Sequence, residues 1–199
     1  MAKAFSDNEK TQIVSRLKEI AKKCLLESEI RKTSVDELAK AAGISKGAFY
    51  FFFRSKEELF FEVINEYHDT AQESIAARFA SVREVSPGAL TAILYSSYRD
   101  ISLSFLPKLI SGGELEILMR RLPPDVVASH QDDDNAFFSK IFSLLPHLGP
   151  ADCVRYSAAF RGIFLMLLHK REIGETVFDE VLEMLITGVV RNMFGEVNP

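Results

Sequence analysis

The chain has 199 residues, of which 47% are hydrophobic and 26% are charged, and its formal net charge at pH 7 is −4. This composition is typical of a folded globular protein and excludes a disordered chain; two cysteines are too few for a disulfide-rich scaffold. The longest apolar run, residues 163–168, is too short to span a membrane, and the polar, Lys-rich start predicts no signal peptide. We therefore expect a cytoplasmic protein whose Cys24 and Cys153 are reduced and structural, the alternative being a redox pair.

The negative charge is unevenly distributed along the chain. Residues 1–68 carry 12 Lys or Arg and 11 Asp or Glu, a net charge of +1, and the remainder carries a net charge of −5. Basic residues cluster between Lys32 and Lys56. This distribution favours a small, specific contact with a polyanion over general affinity for nucleic acid.

The first two helices are predicted from capping boxes, in which a serine is followed three residues later by a glutamate. Ser6 with Glu9 opens a helix that continues to about residue 28. Ser34 with Glu37 opens a second helix. Its predicted apolar stripe consists of Leu38, Ala41 and Ala42, and Ala39 is small where a neighbouring helix must cross closely.

A tight turn and a third short helix follow directly. Gly43 can enter a left-handed turn without penalty, and Ser45 can cap a helix over residues 46–53. A further box, Ser55 with Glu58, opens the next helix. Two short helices joined by a glycine turn predict a helix-turn-helix motif.

The third helix has two different faces. Three phenylalanines on one face, Phe49, Phe52 and Phe53, can pack against the preceding helix. The opposite face holds Lys46, Gly47, Tyr50 and Phe51, and exposed aromatic residues beside a lysine suit a duplex groove. The alternative is a surface helix that packs its apolar face on another part of the chain.

The rest of the chain also has helical periodicity, without strand alternation or internal repeats. Residues 56–82 predict a long helix that links the motif to the rest, and Ser86, Pro87 and Gly88 end it. Further helices are predicted over 89–105, 114–121, 131–145, 151–171 and 177–194. The run Asp132–Asp134 suits the positive end of a helix; a metal site is the weaker alternative because no Glu or His lies at ligand spacing.

The last two helices are apolar around more than one stripe, so that one face can fill a core while another remains to be buried. Two groove-binding helices about one DNA turn apart also require a symmetric pair of chains. We therefore predict a homodimer, the alternative being that these side chains are all intramolecular core. The predicted interface residues are Phe160, Ile163, Leu167, Val181, Leu185, Ile186 and Val189.

The segment from Thr33 to Phe60, TSVDELAKAAGISKGAFYFFFRSKEELF, resembles the DNA-binding domain of the TetR (tetracycline repressor) family of transcriptional regulators. That family usually reads close to T-x-x-x-I-A-x-x-A-G-V-S-K-G-x-x-Y-x-Y/H-F-x-x-K-E-x-L. The chain departs from the pattern at Phe51 and Phe52, where Tyr or His is usual, and at Glu29, where Gly is usual. The resemblance and the exposed face together predict these DNA-contacting residues: Thr33, Ser34, Ser45, Lys46, Gly47, Ala48, Tyr50, Phe51 and Lys56.

The resemblance also implies a domain organisation. An all-α fold is expected, with a three-helix helix-turn-helix domain over residues 1–55 and a helical effector-binding and dimerisation domain over 56–199. Family members commonly hold a small-molecule pocket between their middle and C-terminal helices. Aromatic residues that could line such a pocket, or could equally be ordinary core, are Tyr95, Tyr98, Phe105, Phe138, Tyr156, Phe160 and Phe164.

These observations predict a homodimeric repressor that binds a palindromic double-stranded operator and is released by an unidentified small-molecule effector. No cofactor, metal or membrane partner is expected. The chain has none of the metalloprotease, nucleotide-binding or nucleophile motifs of common enzymes, and its four histidines are scattered, so that an enzyme is disfavoured. The main alternative is a helical DNA-binding or protein-interaction module without small-molecule sensing.

Overall fold

The computed structural model describes residues 5–27, 30–123, 126 and 141–195, and within these ranges the regular structure is entirely helical. The all-α prediction is confirmed. The predicted helix over 131–145, with its aspartate run and Phe138, lies mostly outside the described residues. In the described ranges, no helix combines the length and the apolarity that a membrane crossing requires.

The predicted helices that fall in the described ranges begin and end within a few residues of their predicted bounds, and one further helix, Leu106–Ser111, was not predicted. One predicted helix, over 151–171, is divided at Leu168 and His169, although neither proline nor glycine is present there. A short 3-10 helix, Ile30–Lys32, precedes the second α-helix. The α-helices are α1 (Asp7–Glu27), α2 (Val35–Ala42), α3 (Lys46–Phe52), α4 (Lys56–Ala80), α5 (Pro87–Ser102), α6 (Leu106–Ser111), α7 (Glu114–Arg121), α8 (Pro150–Leu167), α9 (Lys170–Ile173) and α10 (Phe178–Met193).

The contacts divide the chain into two compact units. The first unit comprises Met1–Asp69 with Lys108–Val127, and the second comprises Thr70–Pro107 with Ala128–Pro199. The division differs from the predicted boundary near residue 55, because the first half of α4 and the α6–α7 segment group with the helix-turn-helix. That functional boundary stays a prediction.

The core of the first unit is formed where α1 packs on α2 and α2 packs on α3. Ala39 is buried at this crossing, as its small size predicts, whereas Ala41 is exposed. The predicted apolar stripe of α2 is therefore wrong at one residue, because Ala39 is buried and Ala41 is not. The other buried side chains of these three helices are Ile13, Leu17, Ala21, Leu25, Leu38, Ala42 and Phe49.

The core of the second unit is centred on α10, which packs against α5 and α8. Arg78 of α4 donates hydrogen bonds to Ser96 and Ser97 of α5, at 2.9 and 3.0 Å, and pairs with Asp100, which ties these two helices together. The buried side chains of the cluster are Phe79, Leu90, Ile93, Leu145, Tyr156, Phe160, Ile163, Leu167, Phe178, Leu182, Ile186, Val190 and Met193.

Candidate nucleic-acid interface

Both short helices of the motif begin with the caps that the sequence predicts. The Ser34 hydroxyl accepts a hydrogen bond from the Glu37 N–H at 3.2 Å, and the Glu37 carboxylate accepts one from the Ser34 N–H at 2.7 Å. The bond from the Ser34 backbone, followed by that from its hydroxyl, holds the pKa of Glu37 below its usual value. At α3, the Ser45 hydroxyl accepts from the Ala48 N–H at 3.1 Å. Ser34 and Ser45 therefore use their hydroxyls to fix the starts of α2 and α3.

The turn between the two helices has the left-handed conformation that the glycine predicts. Gly43 has φ 72° and ψ 29°, and the following Ile44 N–H donates to the Ala39 carbonyl at 3.0 Å. Arg16 of α1 donates to the Ala42 carbonyl at 2.9 Å and so holds the end of α2 from outside the motif. Sequence reasoning missed Arg16, since a contact 26 residues away leaves no local signal.

The outer face of α3 is exposed, as predicted. The Phe51 side chain is 65% exposed and Tyr50 is 50% exposed, large values for aromatic residues. Gly47 is also exposed, and a Cβ at this position would meet only the Ser45 hydroxyl, at 3.9 Å, among the described residues. The fold therefore has room for a side chain at position 47.

The cation on this face already has a protein partner. The Lys46 ammonium lies 2.7 Å from the Asp36 carboxylate on α2, and both side chains are more than half exposed. The hydrogen bond and the charge of Asp36 raise the pKa of Lys46. Lys46 is thus charged and oriented at neutral pH, but Asp36 partly neutralises its field. This pair was not predicted, because the two residues lie ten positions apart on different helices.

Two of the predicted contact residues lie in positions that differ from the prediction. Thr33 is buried. The Lys56 ammonium donates to the carbonyls of Ile30 and Thr33, at 2.8 and 2.7 Å, so that two of its three N–H donors serve the protein. Lys56 therefore holds the loop before α2 through two of its backbone carbonyls.

The same loop is held from the other side by α6 and α7. The Glu114 carboxylate, only 4% exposed, accepts a hydrogen bond from the Arg31 N–H at 3.2 Å and pairs with the Arg31 guanidinium. Lys108 donates to the Leu26 carbonyl at 2.9 Å, and Arg121 pairs with Glu57 at 2.6 Å. Sequence reasoning missed Glu114, since its partner is 83 residues away.

The predicted pocket residues that the structure describes belong mostly to the core of the second unit. Tyr156 belongs to the core of the second unit, and its hydroxyl donates to the Asn192 side chain at 2.8 Å. Tyr98 packs against this core, and its hydroxyl donates to the Phe160 carbonyl at 2.8 Å. Burial raises the pKa of the Tyr98 phenol. Phe160 is buried, Phe105 is also buried, Tyr95 and Phe164 pack against the core, and Phe138 lies outside the described residues. Aromatic residues at helical spacing are here mostly core.

A groove of about 640 Å³ is present elsewhere in the second unit, along the last turns of α4. It is lined chiefly by small and apolar side chains, and none of the six predicted pocket residues that the structure describes lines it. The groove exists because the alanines on α4 leave space beside Phe79, and the predicted ligand pocket stays a prediction. The lining residues are Gln72, Glu73, Ala76, Ala77, Phe79, Ala80, Ile141 and Leu144.

Four of the seven predicted interface residues, Phe160, Ile163, Leu167 and Ile186, are buried within the single chain. Val181 and Val189 are half-buried, and Leu185 is exposed. These four residues were predicted on the wrong face of their helices, because the face with the bulkiest side chains fills the core of the second unit.

A different apolar stripe on α8 and α10 is exposed. Met184 is 63% exposed and Leu165 is 55% exposed. Gly162 and Gly188 lie on the same stripes, and a Cβ at either would meet no atom of the described chain within 4 Å. This face, the α8–α10 face, comprises Val154, Ala158, Gly162 and Leu165 on α8 and Val181, Met184, Leu185 and Gly188 on α10.

No other constellation of site residues is present in the described part of the chain. It contains no group of His, Cys, Asp or Glu that could hold a metal ion. Cys24 and Cys153 are half-buried and are not joined by a disulfide bond. His169 lies exposed at the start of α9, 4.0 Å from Glu172.

Comparison with known proteins supports the motif and the fold separately. Residues 17–63 match the family model for bacterial regulatory proteins of the tetR family. An uncharacterized HTH-type transcriptional regulator, YuxN of Bacillus subtilis, is 47% identical over 51 residues; this match covers 26% of the chain and 18% of that relative. The chain thus spans less than a fifth of the curated relative that it matches.

Two solved structures share the fold over nearly the whole chain. One is a tetR-family transcriptional regulator from Mesorhizobium loti described as putative, with a TM-score of 0.69, 16% identity and 98% of each chain covered. The other is the fatty acid degradation regulator FadR from Bacillus halodurans, with a TM-score of 0.62, 14% identity, and 98% and 99% of the two chains covered. At such identities the likeness shows the fold alone.

Proposed function

From the premise that this chain belongs to the tetR family of bacterial transcriptional regulators, we propose that it is a repressor. In this proposal it binds a palindromic DNA operator as a homodimer and is released by a small-molecule ligand.

The observation that carries the proposal is the exposed face of α3 on a firmly capped motif. Lys46 supplies a charge for a phosphate, Tyr50 supplies a hydroxyl, and Gly47 allows the helix to approach the DNA closely. Ala48, half-buried beside Gly47, presents only a methyl group. Ser34, Ser45, Thr33 and Lys56 act in this proposal as positioning residues, because their polar atoms or their burial serve the protein.

The α8–α10 face supports the homodimer. Large exposed apolar patches on soluble proteins commonly mark interfaces, and this one spans two long helices that pack on each other. Helix glycines cost about 1 kcal/mol relative to alanine, and the single chain gains no packing from Gly162 or Gly188. Close approach of a second copy of the same face would account for both.

The groove along α4 supports ligand control. Its lining is mostly apolar, so it suits an apolar or amphipathic molecule. The lining residues from Gln72 to Ala80 lie on the helix whose first turns, from Lys56, belong to the first unit. A ligand that binds one position of α4 better than another would shift the motif between operator-binding states; a coupling of about 1–3 kcal/mol is typical.

The test is a selection of random duplexes by the purified full-length protein at moderate salt, beside the double variant Lys46→Ala, Tyr50→Ala. Recovery of a palindromic site by the wild type but not by the variant is the expected result. A folded wild-type dimer that enriches no sequence would contradict the proposal and favour a protein-interaction module. The enriched site then serves as a probe for release by apolar ligands, with Ala76→Phe, which fills the groove, as the variant that should lose release.

A further inference from the structure

Phe51 is the least expected residue on the outer face of α3. Its side chain is 65% exposed and the ring has neither a hydrogen-bond donor nor an acceptor. It therefore cannot bond to a phosphate, as Tyr50 or Lys46 can. On the exposed face of a candidate DNA interface, such a ring can therefore contribute an apolar contact but not a polar one.

The ring of Phe51 is held in place by two other aromatic residues. Phe52 packs edge-on against it, with ring centroids 5.1 Å apart and planes at 88°. Phe5, which precedes α1, lies 6.5 Å from Phe51 and 5.7 Å from Phe52. Side chains that are already ordered lose less conformational entropy on binding, so this three-ring cluster prepares Phe51 for a contact.

The position of Phe51 restricts what it can contact. Lys46, at the start of α3, is the candidate phosphate contact, and Phe51 lies five residues further along, about 7.5 Å at 1.5 Å per residue. If the start of the helix is at the backbone, this distance brings the ring over base edges. Among the groups that unmodified bases present in the major groove, the C5 methyl group of thymine is the largest apolar one; cytosine has only a C–H there.

We propose that Phe51 is a specificity-determining residue that reads the 5-methyl group of a pyrimidine, so that each half-site of the operator carries thymine opposite the end of α3. This inference rests on the proposed function. It adds to it a base preference that follows from the chemistry of one side chain.

The experiment uses the palindromic site enriched by the full-length protein and replaces each symmetric pair of thymines in turn by deoxyuridine, which removes only the methyl groups. For one pair we expect the affinity of the wild type to fall about fourfold per half-site, or about 16-fold for both, from the loss of one buried methyl contact each. An operator with 5-methylcytosine–guanine in place of that thymine–adenine pair should be bound more tightly than an operator with cytosine–guanine there.

Two protein variants complete the test. Phe51→Ala should bind the thymine site more weakly and be insensitive to deoxyuridine at the critical pair; circular dichroism checks that it is folded, as expected for an exposed position. Lys46→Ala is the matched control, which should bind more weakly but keep the full sensitivity to deoxyuridine. An enriched site at which every deoxyuridine replacement is neutral, or a Phe51→Ala variant that keeps wild-type sensitivity, would overturn this inference and leave the proposed function standing. Failure to enrich any site would overturn both.

Discussion

The two exposed apolar surfaces of this molecule differ in composition. The outer face of α3 combines two aromatic side chains with a lysine on a helix of seven residues. The α8–α10 face combines aliphatic and methionine side chains with glycines on helices of 18 and 16 residues. The first is small and mixed with charge, which suits the polar surface of a duplex. The second is wide and aliphatic, which suits another protein surface.

The glycines in and near the two surfaces differ in whether the fold requires them. Gly43 has a positive φ that a side chain would strain, so the fold itself requires it. Gly47, Gly162 and Gly188 have room for a side chain and lie in helices, where glycine weakens the helix. Close approach of DNA to α3 and of a second chain to the α8–α10 face, as proposed above, would account for these three glycines.

The largest expected effect comes from a charge placed in the α8–α10 face. Met184→Asp should give a folded monomer, because a buried, unpaired carboxylate opposes association while an exposed one does not disturb the protomer. Linked half-sites typically gain about 100-fold or more from a shared dimer, so operator affinity should fall by at least that factor. Light scattering measures the mass and a fluorescence titration measures binding.

The matched control is Glu183→Arg, next to Met184 but about 100° around the helix, where the side chain is also exposed. It should remain a dimer. A Met184→Asp protein that is still a dimer with unchanged operator affinity would show that this face is not the interface, and the two surfaces could not then be assigned to different partners.

The next effect tests whether the α3 surface depends on remote packing. Glu114→Ala removes the buried carboxylate that accepts from the Arg31 N–H and pairs with the half-exposed Arg31 guanidinium, which should lower the free energy of unfolding by about 1–3 kcal/mol. Operator binding should weaken because the loop before α2 loosens, whereas dimer mass should not change. Glu116→Ala, which removes only the exposed pair with Arg120, should leave thermal unfolding and binding unaltered. Equal effects of the two substitutions would contradict the positioning role.

A smaller effect separates what the fold needs from what the operator needs. Gly47→Ala should leave the free energy of unfolding unchanged or raise it by up to about 1 kcal/mol, since alanine favours a helix and the site has room. The added methyl group should nevertheless weaken operator binding, by roughly tenfold if it moves the helix off a phosphate. Gly43→Ala is the contrast and should lower the unfolding temperature. Tight operator binding by Gly47→Ala would remove the close-approach argument.

The smallest effect concerns the charge on the α3 face. Asp36→Asn removes the partner that raises the pKa of Lys46 and frees the ammonium for a phosphate. Operator affinity should rise about two- to threefold at low salt, which corresponds to the free energy of an exposed ion pair. Binding should also weaken more steeply as the salt concentration rises. In a Lys46→Ala background the same substitution should bring a smaller gain. An equal gain in both backgrounds would mean that Asp36 repels the DNA directly and does not act through Lys46.

The sequence by itself determined the helix-turn-helix and its outer face. The serine caps, the left-handed Gly43 and the exposure of Tyr50 and Phe51 all depend on residues within four positions of one another, and such local hydrogen bonds and spacings can be read along the chain. The predicted stripe of α2 failed at Ala41, which is exposed, because alanine favours a helix on its buried and on its exposed side alike.

The tertiary structure decided which of several apolar stripes became core. On α8 and α10 the periodicity allowed two faces, and only the packing of α10 against α5 and α8 buried Phe160, Ile163, Leu167 and Ile186 and left Met184 and Leu165 outside. It also decided the groove along α4 and the Glu114–Arg31 pair, whose partners are far apart in the chain. Burial depends on the volumes of all the side chains that meet at a site, and a linear pattern records the period of one helix but not the neighbours it will have.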